Sequence, residues 1–288
     1  MLKQLNLFIE LTRLKKPIGF MLLFWPCTWG LTLAYNFSNN LYNYFFYLTL
    51  FFLGSVLMRS AGCIVNDILD REFDKKVFRT KNRPIASGKI SIKLALIYTI
   101  FLCLIALLIL LNFNTFTIIL ALGSMPLAFS YPLMKRFTYW PQLFLGITFN
   151  YGLILGWVCI ANQIELVPII LYIGAIFWTL GFDTIYGYQD IKDDEIIGVK
   201  STSIKFKKNP KLFLIICYSI FMLSLILVGF FMKFSSMFYL FLSIPILHLF
   251  LYQIYNFNHK NPKNCLKIFK SNNFLGVIIL CNILIGKL

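Results

Sequence analysis

Two short acidic runs stand out in a chain that is otherwise poor in charge. The first is Asn66-Asp67-Ile68-Leu69-Asp70-Arg71-Glu72-Phe73-Asp74. On a continuing helix, Asn66, Asp70 and Asp74 fall at i, i+4 and i+8, and Asp67, Asp70 and Asp74 at i, i+3 and i+7, so both sets share a face. Carboxylates gathered on one face repel each other and call for a cation. Mg²⁺ suits them: it is hard, prefers oxygen, and is usually held by one or two carboxylates together with substrate phosphates. Taken alone, this run reads equally well as a solvated helix end paired with Arg71 and Lys75. The second run is Asp183-Thr184-Ile185-Tyr186-Gly187-Tyr188-Gln189-Asp190-Ile191-Lys192-Asp193-Asp194, with Asp183, Asp190 and Asp194 at i, i+7 and i+11. Asp183 lies inside an apolar stretch, where an ionisable side chain is costly and marks function by default. Two acidic faces at one membrane surface can hold metal ions and clamp a diphosphate between them.

Basic residues follow each run. Arg79-Thr80-Lys81-Asn82-Arg83-Pro84 comes after the first, Lys200-Ser201-Thr202 after the second, and Lys135-Arg136 lies between them. Arg59 sits within an apolar segment, so topology does not explain it. Arginine offers a two-pronged fork for phosphate or carboxylate. Lys205, Lys207 and Lys208 read as topology charges, His248 as a buried structural histidine and His259 as solvated. The seven cysteines are scattered, with neither metal-ligand spacing nor a disulfide framework.

The elements that must position these residues are membrane helices. Hydrophobic residues make up 59% of the 288 and charged residues 13%, too little charge to cover a soluble domain of this length. Mean hydropathy is +0.77. The apolar residues come in runs near bilayer-spanning length and without alternation, which leaves helices as the spanning structure. The net charge of +16 then reads as basic loops on one side of a bilayer, not as a nucleic-acid surface. Nine spans are expected, at about 17–35, 44–66, 92–111, 114–132, 140–161, 165–186, 210–231, 235–256 and 271–287. The connections at 67–91, 133–139, 187–211 and 257–270 carry most of the Lys and Arg and fall on the N-terminal side, which the positive-inside rule makes cytoplasmic. Both acidic runs lie on that side. The expectation is an all-α integral membrane protein, a nine-transmembrane-helix bundle forming one domain over 1–288. The short N-terminus, with no A-x-A cleavage site and no Arg/Ser-rich presequence, favours a bacterial cell inner membrane.

These residues resemble the UbiA superfamily of intramembrane aromatic prenyltransferases. The likeness is carried by Arg13-Leu14-Lys15-Lys16-Pro17-Ile18-Gly19, by Met58-Arg59-Ser60-Ala61-Gly62-Cys63 leading into the first run, by Asn82-Arg83-Pro84-Ile85-Ala86-Ser87-Gly88, and by Gly198-Val199-Lys200-Ser201-Thr202. Tyr131-Pro132-Leu133-Met134-Lys135-Arg136-Phe137-Thr138, then Pro141-Gln142, is similar to the hydroxybenzoate branch. Gly187 stands where Ala is expected. The resemblance implies a central cavity open to the bilayer and Mg²⁺ held by Asn66, Asp70, Asp190 and Asp194. It makes Asp67, Asp74 and Asp183 supporting members of the site. It implies polyprenyl diphosphate and 4-hydroxybenzoate as substrates, bound with help from Arg13, Arg59, Arg79, Arg83, Lys135, Arg136 and Lys200. Arg136 is the candidate partner for the acceptor carboxylate, and Tyr186 and Tyr131 can face an allylic cation. The same chemistry on protohaem, homogentisate or dihydroxynaphthoate is the near alternative. An ion-coupled transporter is the distant one, and it leaves two one-faced acid clusters with basic neighbours unexplained.

Overall fold

The computed structural model describes residues 2–38 and 40–287. Residue 39, within the expected 36–43 connection, lies outside them. The described chain is helical with short connections: α1 Leu2–Thr12, α2 Ile18–Ala34, α3 Leu41–Leu69, α4 Arg71–Asp74, α5 Ile92–Leu110, α6 Thr115–Phe137, α7 Pro141–Ala161, α8 Leu166–Gly187, α9 Ile191–Ile197, α10 Thr202–Lys205, α11 Pro210–Phe231, α12 Ser236–Ile254 and α13 Pro262–Lys287. Eight of these are long and apolar enough to cross a membrane. The first expected span, α2, is apolar but has 17 residues. All nine expected segments are helical, while helix length alone supports eight full crossings.

Local chemistry sets the helix ends. Asn40, Ser91 and Asn114 cap α3, α5 and α6, each side chain accepting a hydrogen bond from a first-turn backbone N–H. Pro141 and Pro210 open α7 and α11, where no N–H is needed. Asn162 closes α7 in the left-handed conformation, φ 53°.

Four sequence boundaries need correction. Residues 2–12, not expected to be a separate element, form α1, whose Leu11 is buried against Ala61 and Ile64. The expected 133–139 loop is largely helical: Tyr131–Leu133 tightens into a 3₁₀ turn and Met134–Phe137 continues it, placing Lys135 and Arg136 on a last helical turn. α13 starts nine residues earlier than expected. Its extension buries Cys265, Ile268 and Phe269 while Lys263, Lys267 and Lys270 stay exposed, so one face packs and the charges escape to water. Finally, neither acidic run lies on one uninterrupted helix. α3 breaks at Asp70 (φ −95°, ψ 4°) and α8 ends before Asp190 (φ −116°, ψ 9°), each chain resuming as a short helix.

α2 and α7 meet at glycines. A Cβ on Gly30 would lie 2.0 Å from the Leu153 carbonyl oxygen, and one on Gly156 2.3 Å from that of Cys27. Between membrane helices, close backbone approach of this kind supplies the packing that a hydrophobic drive cannot. The aromatic core lies beside this pair, where Trp29 packs on Trp178 at 5.1 Å and Trp178 stacks on Phe221 at 5.8 Å. Of the two motif-bearing helices, α3 packs against α5 and α2, and α8 against α7, α11 and α13.

Candidate active site

The ends of α3 and α8 face one polar cavity of about 490 Å³. Fourteen of the fifteen sequence-expected residues line it: Arg13, Arg59, Asn66, Asp67, Asp70, Asp74, Arg79, Arg83, Lys135, Asp183, Tyr186, Asp190, Asp194 and Lys200. The breaks at Asp70 and Asp190 turn each acidic run inward.

Asp67, Asp70 and Asp74 are buried, and burial without a partner would be costly. The basic residues supply the partners. Arg13 reaches Asp67 at 2.5 Å, and Arg83 bridges Asp67 at 3.1 Å and Asp74 at 2.8 Å. Lys135 pairs with Asp70 and Arg79 with Asp190. Arg79 also donates to the Tyr186 hydroxyl at 2.9 Å. Arg13 adopts φ 56°, an uncommon left-handed backbone for a residue other than glycine, as it turns from α1 into the cavity. Lys200 is fixed by its backbone N–H, which donates to the Lys135 carbonyl at 2.9 Å, and by its ammonium on the Phe137 carbonyl at 3.2 Å.

Burial raises the carboxyl of Asp74 above the ordinary carboxylate range. Burial, then the neighbouring charge of Asp190, pushes Asp194 up to about 6.

A divalent cation fits this donor set. Asp70 Oδ1 is buried with no hydrogen-bond partner, an arrangement that otherwise carries a desolvation cost. Among the described residues, no three acidic, cysteine or histidine side chains converge on one point. A hard ion held here would need further oxygen ligands, of the kind phosphate groups supply to Mg²⁺. Among the described residues, seven acids and seven bases line the cavity, Glu10 and Lys16 included. A metal–diphosphate pair can enter this balanced set by exchange, each carboxylate trading a basic side chain for metal and each base trading a carboxylate for phosphate.

Arg136 is the residue the cavity leaves out. Its guanidinium donates to the Leu69 carbonyl at 2.5 Å and lies 5.4 Å from the centre of the Phe73 ring, on the exposed surface. It caps the end of α3 and, unlike the other expected residues, is not among those lining the cavity. Gln142, not expected as a site residue, does line the cavity, and its side-chain oxygen accepts from the Thr202 N–H at 3.0 Å. The Pro141-Gln142 pair was the sequence signal for it. At the departure noted at Gly187, a Cβ would lie 2.4 Å from Ser203 Oγ.

A second cavity, about 600 Å³ and apolar, adjoins the first. Arg59 and Tyr131 line both. Arg59 lies 5.1 Å from the centre of the Phe149 ring.

A polar chamber of paired acids and bases joined to an oily one inside a helical membrane bundle defines a class: membrane proteins that bring a diphosphate head and a lipid tail together. The sequence matches the UbiA prenyltransferase family over residues 23–278, and the chain belongs to that family. It is 42% identical to human "4-hydroxybenzoate polyprenyltransferase, mitochondrial", covering 99% of this chain and 76% of the relative. It is 41% identical to "4-hydroxybenzoate geranyltransferase 2" of Lithospermum erythrorhizon, covering 99% and 92%. In fold it is similar to a UbiA homologue from Aeropyrum pernix K1, with TM-score 0.75, 22% identity, and 94% and 98% of the two chains covered. It is also similar to one from Archaeoglobus fulgidus, described as bound to GPP and Mg²⁺, with TM-score 0.70, 17% identity and 97% and 98% coverage. The protein is a multi-pass membrane protein. The mitochondrial relatives give no support to the bacterial inner membrane expected from the N-terminus.

Proposed function

We propose that this chain, as one unit over 1–288, transfers a polyprenyl group from polyprenyl diphosphate to the carbon ortho to the hydroxyl of 4-hydroxybenzoate, an early step of ubiquinone biosynthesis. The observation that carries the reading is the junction of the two cavities at Arg59 and Tyr131. Diphosphate and metal belong in the polar chamber and the tail in the apolar one, so the bond to be broken lies between them. The names of the relatives supply the acceptor.

Asn66, Asp70, Asp190 and Asp194 would hold Mg²⁺, which supplies charge stabilisation for the departing diphosphate. Arg13, Arg79, Arg83, Lys135 and Lys200 bind and orient the diphosphate oxygens, with Asp67 and Asp74 holding Arg13 and Arg83 in place. The C1–O bond breaks and its electron pair leaves with the diphosphate. The allylic cation forms beside the faces of Tyr131 and Tyr186, which favour positive charge. The ring carbon of the acceptor then bonds to C1 and loses its proton. The apolar chamber keeps water from the cation. Arg59, inside the membrane span and at the junction, is the acceptor-carboxylate partner, and Asp183 lies in the same chamber to bear on the proton's departure. The catalytic loops face the side of the membrane where the N-terminus lies.

The test is the purified chain in lipid nanodiscs with 4-hydroxybenzoate, a prenyl diphosphate and Mg²⁺, with the product identified by mass spectrometry. A prenylated hydroxybenzoate that disappears with EDTA is expected. No product, or prenylation of a different acceptor alone, overturns the reading.

A further inference from the structure

Gln142 lines the polar chamber from the first turn of α7, beside Pro141 and Leu145. It is only 7% exposed, so the partners of its amide must come from inside the protein. The oxygen is committed. A backbone N–H can only donate, and that of Thr202 donates to the Gln142 oxygen at 3.0 Å. The amide nitrogen is therefore turned the other way. On that side stands Gly187, where an added Cβ would come within 3.6 Å of Gln142 Nε2. Among the described residues, the bond to Thr202 is the one hydrogen bond the Gln142 side chain makes. A buried donor without a partner is costly, and a ligand oxygen removes the cost. The 21-residue α7 also brings its N-terminal, positive end to the same wall of the chamber.

The neighbours of that nitrogen indicate which oxygen it meets. Asp183 lies one helical turn before Gly187, deeper in the span, and Asp190 lies just past the end of α8. Gln142 Nε2 thus stands at a level between Asp190 and the inner wall, where Arg59 and Tyr131 open onto the apolar cavity. A diphosphate gripped by the acidic motifs, with its tail in the apolar cavity, lays its tail-bearing phosphate across that level. We propose that the Gln142 amide donates a hydrogen bond to the tail-bearing phosphate of the prenyl diphosphate. The bond strengthens as the C1–O bond breaks and its electron pair moves onto that phosphate. Arg13, Arg79, Arg83 and Lys135 each pair with a carboxylate of the chamber, whereas an amide carries no charge to draw it to one. Its aim is set from α8: Thr202 Oγ1 lies 2.6 Å from Thr184 Oγ1, and Ser203 Oγ donates to the Thr184 carbonyl at 2.8 Å. The N–H that orients Gln142 is thereby tied to the helix that leads into the second motif.

The inference rests on the prenyl-transfer reading, and the experiment separates the two. Gln142→Glu keeps the oxygen that Thr202 needs and exchanges the NH₂ for a second oxygen. The full chain in nanodiscs is assayed with Mg²⁺, geranyl diphosphate and 4-hydroxybenzoate. At about pH 8 the kcat of Gln142→Glu is expected to fall about tenfold to hundredfold, the scale of a charge-assisted hydrogen bond, with the KM for 4-hydroxybenzoate changed less than about threefold. A protonated glutamic acid regains a donor in the same place, and the acids around it favour that form. The ratio of variant to unmodified kcat is therefore expected to rise as the pH is lowered toward about 6, which a purely structural role would not produce. A second readout needs no turnover. Inorganic pyrophosphate with Mg²⁺ is expected to raise the thermal unfolding midpoint of the unmodified chain. Gln142→Met, of similar length but without a donor, is expected to show a smaller rise whatever its own starting midpoint. An unchanged kcat in Gln142→Glu, a ratio flat with pH, or a change confined to the KM for 4-hydroxybenzoate overturns the proposal. If Gln142→Glu does not fold, an undiminished pyrophosphate rise in Gln142→Met overturns it. Absence of transfer by the unmodified chain overturns the prenyl-transfer reading itself, while the pyrophosphate comparison still tests Gln142.

Discussion

Asp70 and Asp190 are paired to Lys135 and Arg79, so removing either acid takes a carboxylate from a cation and, at the proposed site, would leave a metal short of a ligand. Asp70→Ala and Asp190→Ala are each expected to lower turnover by at least about 100-fold, the scale of losing one preorganised charge-stabilising group. Elution as an unaggregated species from size exclusion should be retained. Near-normal turnover with saturating Mg²⁺ would remove the two-motif site. Acids were legible in the sequence because a carboxylate in so apolar a chain must have a reason to be there. The roles of the bases were less legible. Residue type gives charge but not direction, and Arg59 and Arg136 look alike until one lies at a cavity junction and the other caps Leu69. They should separate kinetically. A charge-assisted hydrogen bond contributes ~1.5–3 kcal/mol, so Arg59→Ala should raise the KM for 4-hydroxybenzoate about tenfold to hundredfold and spare that for prenyl diphosphate. Arg136→Ala should move neither KM by more than about threefold, the scale of an exposed contact. A selective acceptor effect from Arg136→Ala would reverse the assignment.

At the scale of elements, apolar runs announced the long helices, because burying backbone polar groups in lipid leaves a helix little alternative. What they did not announce follows from contacts that hydropathy does not encode. α1 exists because Leu11 docks on α3, and the early start of α13 because its Ile268 and Phe269 find partners. The breaks at Asp70 and Asp190 are a change of chain direction that helical spacing cannot reveal. Glycines are ambiguous in the same way: sequence does not distinguish one at a helix contact from one facing a cavity. Gly30→Ala forces a Cβ to 2.0 Å from a backbone carbonyl, whereas Gly54→Ala enters open space. Overpacking of this kind costs about 1–3 kcal/mol. Gly30→Ala should therefore lower the thermal unfolding midpoint in detergent by several degrees, by the usual conversion of about 2–4 °C per kcal/mol at this chain length. Gly54→Ala should leave it unchanged. Equal midpoints for the two variants would argue against the close α2–α7 contact.

The whole molecule has two unlike ends. The connections beside the polar cavity hold Lys75, Lys76, Arg79, Lys81, Arg83 and Lys89, then Lys200, Lys207 and Lys208, then Lys260. At the other end the connections near residues 112 and 163 carry no Lys or Arg, and that between α11 and α12 carries Lys233. Lys287 also lies at this end, but it is spent internally. Its ammonium donates to the carbonyls of Thr32, Leu33 and Tyr35 at 3.0, 2.8 and 2.6 Å, closing the end of α2. Basic residues are thus concentrated at the catalytic end, where an anionic diphosphate must enter and where synthesis retains basic loops. The asymmetry makes a topological prediction. In a variant lacking the native cysteines, single cysteines replacing the exposed Phe78 and Lys208 should react with an impermeant maleimide from the cytoplasmic side alone of a bacterial host's inner membrane. Cysteines replacing the exposed Asn112 and Gln163 should react from the opposite side alone. Phe78 and Lys208 sit in separate loops, so they test different parts of the bundle. If the two report opposite sides, an odd number of crossings separates the two acidic motifs, and they cannot share one chamber. If both report the far side, the motifs still share a chamber, but the diphosphate enters from the face opposite the one that basic loops select.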